Sequence, residues 1–579
     1  MIQQHDTITP QTPPFMEAHE IEAIALLLRS FNNPLQAFEW GSGSSTLYYG
    51  SRLPFGSFWQ SIEHDADWYE QTALKIAQWN PQHMNVTHVP PGRPWLNNGD
   101  DGSYEIFRKY VLYPTTLGKK FSVILVDGRA RVQCMAVAWE LLEDDGVMIL
   151  HDAERSEYNP GIPEDCHYLR LSAYTSRVGG EVSLLFMAKN IGRLAQLKRK
   201  LGRLLPSNVT IISNFTETPA SRRILFVNVC YESFLNNLYR SSPALNNQPY
   251  YQQKRAIIET CFGDSDYYSS GMEVYGWDAD DLIMNCAQVQ TSWVLENNIP
   301  AQTHLDVLIA QIRHFHPEVL YLQDLSQATE SFIAAVRPHV KLIVGQIASP
   351  IPPSAHLRGF DIIFSSFPHF VEKFRQLGIS AYYLPLAFEP RVLQRLPLTE
   401  RTIPVSFVGG ISPFHGHGLK LLEKISEGIS LDVWGYGAQS LPPESALVRR
   451  HHGEAWGLHM FSLFASSRIT INRHIDVAEN YANNMRLFEA TGCGALLLTD
   501  YRSNLDTLFN IGEEIVAYRT PEEAVSLAQH YLQNPEKASE IAKAGQKRTI
   551  TEHNYTKRMD QVSKTLEYHL ALTNTQSFC

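Results

Sequence analysis

The sequence predicts an α/β chain of several parallel sheets wound with helices, and three observations carry that expectation. From Glu17 onward, apolar runs that end in Gly, Asp or Asn alternate with segments of helical period. The 579 residues, at about 150 per domain, point to three or four cores rather than one. Hydrophobic residues make up 44% of the chain and charged residues 19%, with 34 Gly and 32 Pro, an ordinary globular balance with enough apolar material for several cores.

In the first 190 residues the runs Gln36–Trp40, Phe58–Glu63, Val86–Val89, Phe121–Asp127, Val147–Asp152 and Val182–Ala188 read as the strands of one domain. Residues 191–221 read as a basic amphipathic helix followed by a linker. Arg193, Lys198, Arg199, Lys200 and Arg203 share this segment with no acid, while Ile191, Leu194, Leu197, Leu201 and Leu204 recur at helical spacing. Such a stripe either docks on a neighbouring domain or touches a membrane surface through residues 191–205. Residues 222–395 carry a second set of strands from Arg223–Val229 through Asp281–Met284, Val319–Leu322, Lys341–Gln346 and Asp361–Ser366 to Ala381–Leu386. Residues 396–579 carry a third, from Pro404–Gly410 to Glu514–Ala517. The chain closes with Tyr555, Met559, Val562 and Leu566 at helical spacing, as in a helix that covers a sheet.

Counting 49 Lys and Arg against 60 Asp and Glu gives a net charge of −11, which argues against a nucleic-acid partner. The seven cysteines are scattered and form no CxxC pair, and no basic leader or long apolar span is present. Both features predict a cytoplasmic protein, whose contact with the inner face of a membrane would be peripheral.

Chemistry concentrates at two places. In the first, Glu39-Trp40-Gly41-Ser42-Gly43-Ser44-Ser45 joins a strand to a helix-like run, so the glycines fall where backbone can approach a ligand closely. Glu63 ends the next strand, 20 residues after Gly43, where a carboxylate can accept both hydroxyls of an adenosine ribose. With Ser45 in place of a third glycine, the turn suits a cofactor without a diphosphate. These residues resemble the class I S-adenosylmethionine-dependent methyltransferases. The resemblance implies that Glu39, Gly41 and Gly43 cradle the methionine end of S-adenosylmethionine and that Glu63 holds its ribose. Asp127, His151 and Asp152 end two further strands at the same edge. They resemble the strand-end acids and histidine of small-molecule and polysaccharide O-methyltransferases, where one of them, His151 first, would take the acceptor proton. No ligand spacing predicts a metal.

The second place lies in residues 222–560, whose two α/β sets of similar size predict a cleft suited to a nucleotide-linked substrate. Gly409 and Gly410 follow a strand and precede a helix, an arrangement that favours a diphosphate. The run Asn483-Asn484-Met485-Arg486-Leu487-Phe488-Glu489-Ala490-Thr491-Gly492-Cys493-Gly494 resembles CgeB-like and group 1 glycosyltransferases of the GT-B fold. Val433-Trp434-Gly435-Tyr436-Gly437 and Ile471-Asn472-Arg473-His474 extend the likeness. It implies that Glu489 binds the donor ribose, that Arg486 faces the diphosphate, that Asn484 contacts the nucleotide-sugar, and that Gly435 and Tyr436 meet the base of that donor. One departure stands out: where the group 1 pattern has a second glutamate this chain has Tyr481, with Glu479 out of register.

His415 and His417 form an HxH pair after the glycines, read either as a phosphate contact through His415 or as a solvated loop pair. The pairs Asp264/Asp266 and Asp278/Asp280 mimic the metal-binding DxD of another glycosyltransferase fold, but helix capping and surface solvation explain them without a metal. Gly263, Gln346 and Ser349 are expected to face the acceptor. Asp264 or Asp324 would serve as base in an inverting enzyme. The sequence thus predicts a glycosyltransferase acting on a glycan, lipid-linked or small-molecule acceptor, with an attached O-methyltransferase domain acting on the same glycan. A non-catalytic glycan-binding scaffold with relic cofactor sites, or a nucleotide-sugar epimerase or hydrolase, are the competing readings.

Overall fold

The computed structural model describes residues 10–31, 34–79, 82–95, 101–216, 222–300, 303–411 and 416–576. The chain divides into two compact units, residues 1–220 with 393–398, and residues 221–392 with 399–579.

The first unit is built on eight strands: β1 (Gln36–Trp40), β2 (Phe58–Glu63), β3 (Met84–His88), β4 (Phe121–Val126), β5 (Leu142–Leu150), β6 (His167–Thr175), β7 (Gly180–Ala188) and β8 (Thr210–Ser213). They lie in the order β3-β2-β1-β4-β5-β7-β6-β8. The five strands from β3 to β5 run parallel, whereas β7 pairs antiparallel with both β5 and β6, and β8 antiparallel with β6. The strands β1, β2 and β4 are almost wholly buried, which is the continuous apolar pattern of a sheet covered on both faces. Strand order reverses between β1 and β4, so the polar residues that end these two strands open onto the crevice where such sheets bind ligands.

Residues 192–213, expected as an interdomain helix and the start of a linker, belong to the first unit. The helix Gly192–Leu204 buries Leu194, Leu197 and Leu201 in that unit's own core, and Thr210–Ser213 supplies β8 to its sheet. Arg193 is tied to Asp145 at 2.6 Å and to the Ser30 carbonyl at 2.6 Å. The apolar stripe is therefore spent on packing, and the membrane contact expected of residues 191–205 loses its apolar face. No helix among the described residues is long and apolar enough to cross a membrane.

The second unit holds two parallel sheets. The first, in the order β10-β9-β11-β12-β13-β14, comprises β9 (Arg223–Asn228), β10 (Asp278–Ile283), β11 (Val319–Leu322), β12 (Leu342–Gln346), β13 (Ile362–Ser365) and β14 (Ser380–Tyr383). The second, in the order β16-β15-β17-β18-β19, comprises β15 (Ile403–Val408), β16 (Asp432–Trp434), β17 (Ser467–Asn472), β18 (Leu496–Asp500) and β19 (Val516–Tyr518). The last helix, Tyr555–Gln576, returns to the first of these sheets. It buries Tyr555, Met559, Val562 and Leu566, and its Ser563 hydroxyl accepts the Trp277 indole N–H at 2.8 Å.

Asp278 and Asp280 do not form a surface loop: they open β10 itself. Asp278 is buried, and Asp280 is paired at 2.5 Å with Lys254, whose own side chain is 7% exposed. Asp266 is likewise buried, in an ion pair with Arg391 at 3.0 Å. Buried Asp266 and half-exposed Asp280 are each held by a cation, Arg391 and Lys254.

Candidate functional site

In the first unit the turn after β1 is set by steric demand. Gly41 has φ +90°, and a Cβ on it would lie 2.9 Å from the Asp127 carbonyl, so the turn packs directly on the end of β4. Glu63 is almost fully buried and accepts from the Ser42 amide (2.9 Å), the Ser42 hydroxyl (3.2 Å) and the His64 and Asp65 amides (2.8 and 3.0 Å). Burial would raise its pKa. The bonds from His64, Asp65 and Ser42 and the His64 charge outweigh that effect and hold the carboxylate below its ordinary range. Glu63 is thus held in its ionised form beside the turn, with the His64 ring at 2.7 Å as a further partner.

Glu39 does not cradle a ligand. Its carboxyl is completely buried and accepts from Ser45 (2.5 Å), Thr46 (2.6 Å), Ser61 (2.5 Å) and the Trp59 indole N–H (2.9 Å). Four protein donors fill it, so its role is to fix the helix Ser44–Gly50 behind the turn. Burial pushes its pKa up to about 7, against an ordinary 4.5. The native carboxyl thus holds its proton to higher pH than the unfolded one, and its contribution to stability falls as pH rises from about 4.5 through 7. Glu39→Ala is expected to destabilise the first unit by about 3 kcal/mol or more, because it strands those donors in a cavity. Glu39→Gln should instead flatten the decline in thermal midpoint between pH 5.5 and 8, read by calorimetry.

Asp127, His151 and Asp152 do gather at the ends of β4 and β5, with donor atoms within 4.8 Å of one another. Their chemistry differs from the expectation. His151 Nδ1 lies 2.9 Å from Asp127, its Nε2 lies 3.8 Å from buried Glu20, and Arg131 reaches both Asp127 and Asp152 at 3.2 Å. Burial opposes a charged imidazole, but Asp127, Glu20 and Asp152 outweigh it and raise the His151 pKa well above 6.5. That direction, with Nδ1 engaged by Asp127, works against His151 as the proton acceptor. Asp127, held below the ordinary carboxylate range by His151 and Arg131 despite its burial, is a weak one. Arg131 already spans both carboxylates at 3.2 Å, so the positive charge facing this trio is supplied by the protein itself.

In the second unit, Gly409 and Gly410 follow β15. The Gly409 amide donates to the Trp434 carbonyl at 2.9 Å, and the Gly410 carbonyl accepts from Arg473 at 2.8 Å. Gly435 (φ +147°) presses on this loop so closely that a Cβ would fall 1.9 Å from the Gly409 carbonyl. Tyr436 next to it stacks with Trp456 at 6.1 Å and meets Tyr231 edge-on. The helix Arg486–Gly492 then carries Arg486 and Glu489 one turn apart. Arg486 donates through Nε to the Val408 carbonyl at 2.8 Å and through Nη1 to the Glu489 carboxylate, which is only 4% exposed. The expected pair is thus assembled beside the glycine loop.

Other expected residues are committed elsewhere. Asn484 donates to the Asn472 side chain and the Arg473 carbonyl, both at 2.9 Å, and accepts the Leu487 amide, so it caps the helix instead of facing the donor. Asp324 is a turn residue: its carboxylate accepts the Ser326 amide at 2.7 Å and the Ser326 hydroxyl. Gln346 is held between the Tyr321 and Tyr268 hydroxyls at 2.8 and 2.7 Å, and Ser349 is exposed. Tyr481 stacks on His369 at 5.7 Å. His415 lies outside the described residues, as does the side chain of His417.

Asp264 is held by side chains of the second unit. The Tyr555 hydroxyl donates to it at 3.1 Å, and Gln323 approaches at 3.5 Å. Its pKa is pushed up to about 6, first by burial and further by the charge of Glu489, against the bond from Tyr555. The two carboxylates of the second unit's candidate site thus feel one another.

Residues 418–564, which contain Arg473, Arg486 and Glu489, match the family model described as glycosyl transferase-like. No curated protein matches this chain. Among solved structures, the chain is similar to HepE of Anabaena in complex with UDP-glucose, with 12% identity over 60% of this chain and 99% of that one and a TM-score of 0.40. Sucrose-phosphate synthase from Thermosynechococcus elongatus shares 11% identity over 61% of this chain and 100% of that one, with a TM-score of 0.38. AviGT4, a glycosyltransferase involved in avilamycin A biosynthesis, shares 13% over 60% and 98%, with a TM-score of 0.39.

Arg473 is the residue that sequence reasoning passed over as a site. It ends an apolar strand at the carboxyl edge of its sheet, as Asp127 and His151 do in theirs, and that position was its signal.

Proposed function

We propose that residues 222–579 transfer a sugar from a nucleotide-linked donor to a hydroxyl of a glycan or related acceptor. The observation that supports this reading most is the Arg486–Glu489 pair, its glutamate buried and its arginine half-buried beside the Gly409–Gly410 loop, in the stretch 418–564 matched by the glycosyl transferase-like model. In this reading Glu489 accepts the donor's ribose hydroxyls, Arg486 is released toward the diphosphate, and Asp264 takes the acceptor proton. The diphosphate gains from the amides at the start of the helix Gly416–Gly428.

For residues 1–220 we infer an S-adenosylmethionine site at the Gly41–Gly43 turn, with Glu63 on the ribose and a methyl acceptor on the same glycan. The reversal of strand order at β1 and β4 and the ionised Glu63 support it. No base is assigned to that transfer, because His151 is engaged by Asp127 and its neighbouring acids favour its charged form.

Thermal-shift titration of the full chain with UDP-, GDP-, ADP- and CDP-sugars and with S-adenosylmethionine tests both readings. The expected result is stabilisation by one nucleotide class, lost in Glu489→Ala, and by S-adenosylmethionine, lost in Glu63→Ala. Donor incubated without acceptor should hydrolyse slowly; rapid conversion would mark an epimerase or hydrolase. No shift with any ligand would return the chain to a scaffold.

A further inference from the structure

At the carboxyl edge of β17, β18 and β19 an open pocket of about 510 Å³ is lined by Arg473, Asp476, Asp500, Arg502, Tyr518 and Arg519. Three guanidinium groups face two carboxylates. Asp500 is engaged: it lies 2.7 Å from His474 Nδ1 and pairs with Arg502 at 2.8 Å. Arg502 also donates to the Glu479 carbonyl at 2.9 Å, and Asp476 has a partner of its own.

Arg473 is different. It is 6% exposed, donates to the Gly410 carbonyl, and has no carboxylate within ion-pair distance among the described residues. Its Nε has no hydrogen-bond partner there either. Burial pushes its pKa down, and Tyr518, Asp500 and Asp476, none in ion-pair contact with it, offset that only in part. A buried guanidinium in this condition is stabilised by an arriving anion. The first turn of the helix Gly416–Gly428 adds its positive end: a Cβ on Gly418 would lie 2.5 Å from Arg473 Nη1, so the guanidinium abuts that turn. On the outer side, Arg519 stacks over the Tyr501 ring at 3.8 Å, and its guanidinium has no ion pair among the described residues. That leaves a planar donor fork held in place with its hydrogen bonds unspent.

We propose that this pocket is an oxyanion subsite, with Arg473 as its buried anchor and Arg519 as its outer arm, taking the phosphate or carboxylate group of a small polar molecule such as a sugar phosphate or sugar acid. It shares the start of the helix Gly416–Gly428 with the donor reading but not the Arg486–Glu489 pair, neither residue of which lines the pocket.

The test is isothermal titration of the full chain at low ionic strength with inorganic pyrophosphate, inorganic phosphate and glucuronate. At least one should bind, and its affinity should fall about tenfold in Arg519→Gln and further in Arg473→Gln, the loss expected for one charge-assisted bond or more. Binding should also weaken with added salt. Arg519 is exposed, so its variant keeps the test decisive if Arg473→Gln fails to fold. Binding of a phosphate species alone assigns a phosphoryl ligand, and binding of glucuronate alone a carboxylate. No binding by any of the three, or unchanged affinity in Arg519→Gln, overturns the subsite. Loss of anion binding in Glu489→Gln would also overturn it, because the anion would then occupy the donor site. Anion binding that persists when no nucleotide binds would sink the donor reading alone.

Discussion

Glu489→Gln should weaken nucleotide-sugar binding by about 10- to 100-fold and remove sugar transfer, while far-UV dichroism stays that of the native chain. The carboxylate is buried and its one side-chain partner is Arg486, one turn earlier on the same helix. A ribose diol that donates both hydroxyls to a carboxylate forms charge-assisted bonds, each worth about 1.5–3 kcal/mol, and an amide presents one acceptor in place of two oxygens. The variant also strips Arg486 of its counter-ion, although the Val408 carbonyl still holds its Nε. That second loss separates two roles for Glu489. If the pair is only structural, Arg486→Met combined with Glu489→Gln should restore both stability and turnover, because the uncompensated charge has gone. If Glu489 binds ribose, the double variant regains stability and remains inactive. Calorimetric titration with the nucleotide found by thermal shift, together with product analysis, reads both. Normal turnover in Glu489→Gln would end the assignment.

What could be read from the sequence follows the contrast between buried and edge strands. Runs such as Phe121–Val126 and Leu496–Asp500 are buried along nearly their whole length and announce themselves by continuous apolar residues. The strand His167–Thr175 mixes His167, Arg170 and exposed Tyr174 into its apolar set, and Thr210–Ser213 is four residues at the sheet's edge, so both passed as irregular chain. Asp278–Ile283 misled in the opposite way, since three aspartates in six residues read as surface until Lys254 and Ser269 are seen to meet two of them. The sites divide similarly. The Gly41–Gly43 turn and the Arg486–Glu489 spacing are local and were legible. That Glu39 is filled by four donors, that His151 is surrounded by Asp127, Asp152 and Glu20, and that buried Arg473 has no carboxylate within ion-pair distance among the described residues all follow from tertiary contact, which no spacing along the chain encodes.

Asp264→Asn should lower kcat by about 10²–10⁴-fold and leave nucleotide affinity unchanged, the signature of a base lost from the chemical step. The wild-type rate supplies the matching pH test. Only the ionised carboxyl accepts a proton, so kcat should climb as pH rises through about 6, where burial and Glu489 have set this group, and then level off; the Asn variant should show no such limb. Tyr555 gives the result a second handle. Its hydroxyl bonds Asp264 at 3.1 Å and favours the ionised form, so Tyr555→Phe should move the rising limb to higher pH without abolishing turnover. A merely structural tyrosine would lower stability and leave the limb in place. Both results distinguish an enzyme that inverts the anomeric centre, which needs a protein base, from one that retains it. If Asp264→Asn keeps its kcat, Asp264 is not the base, and its raised pKa reflects only burial beside Glu489.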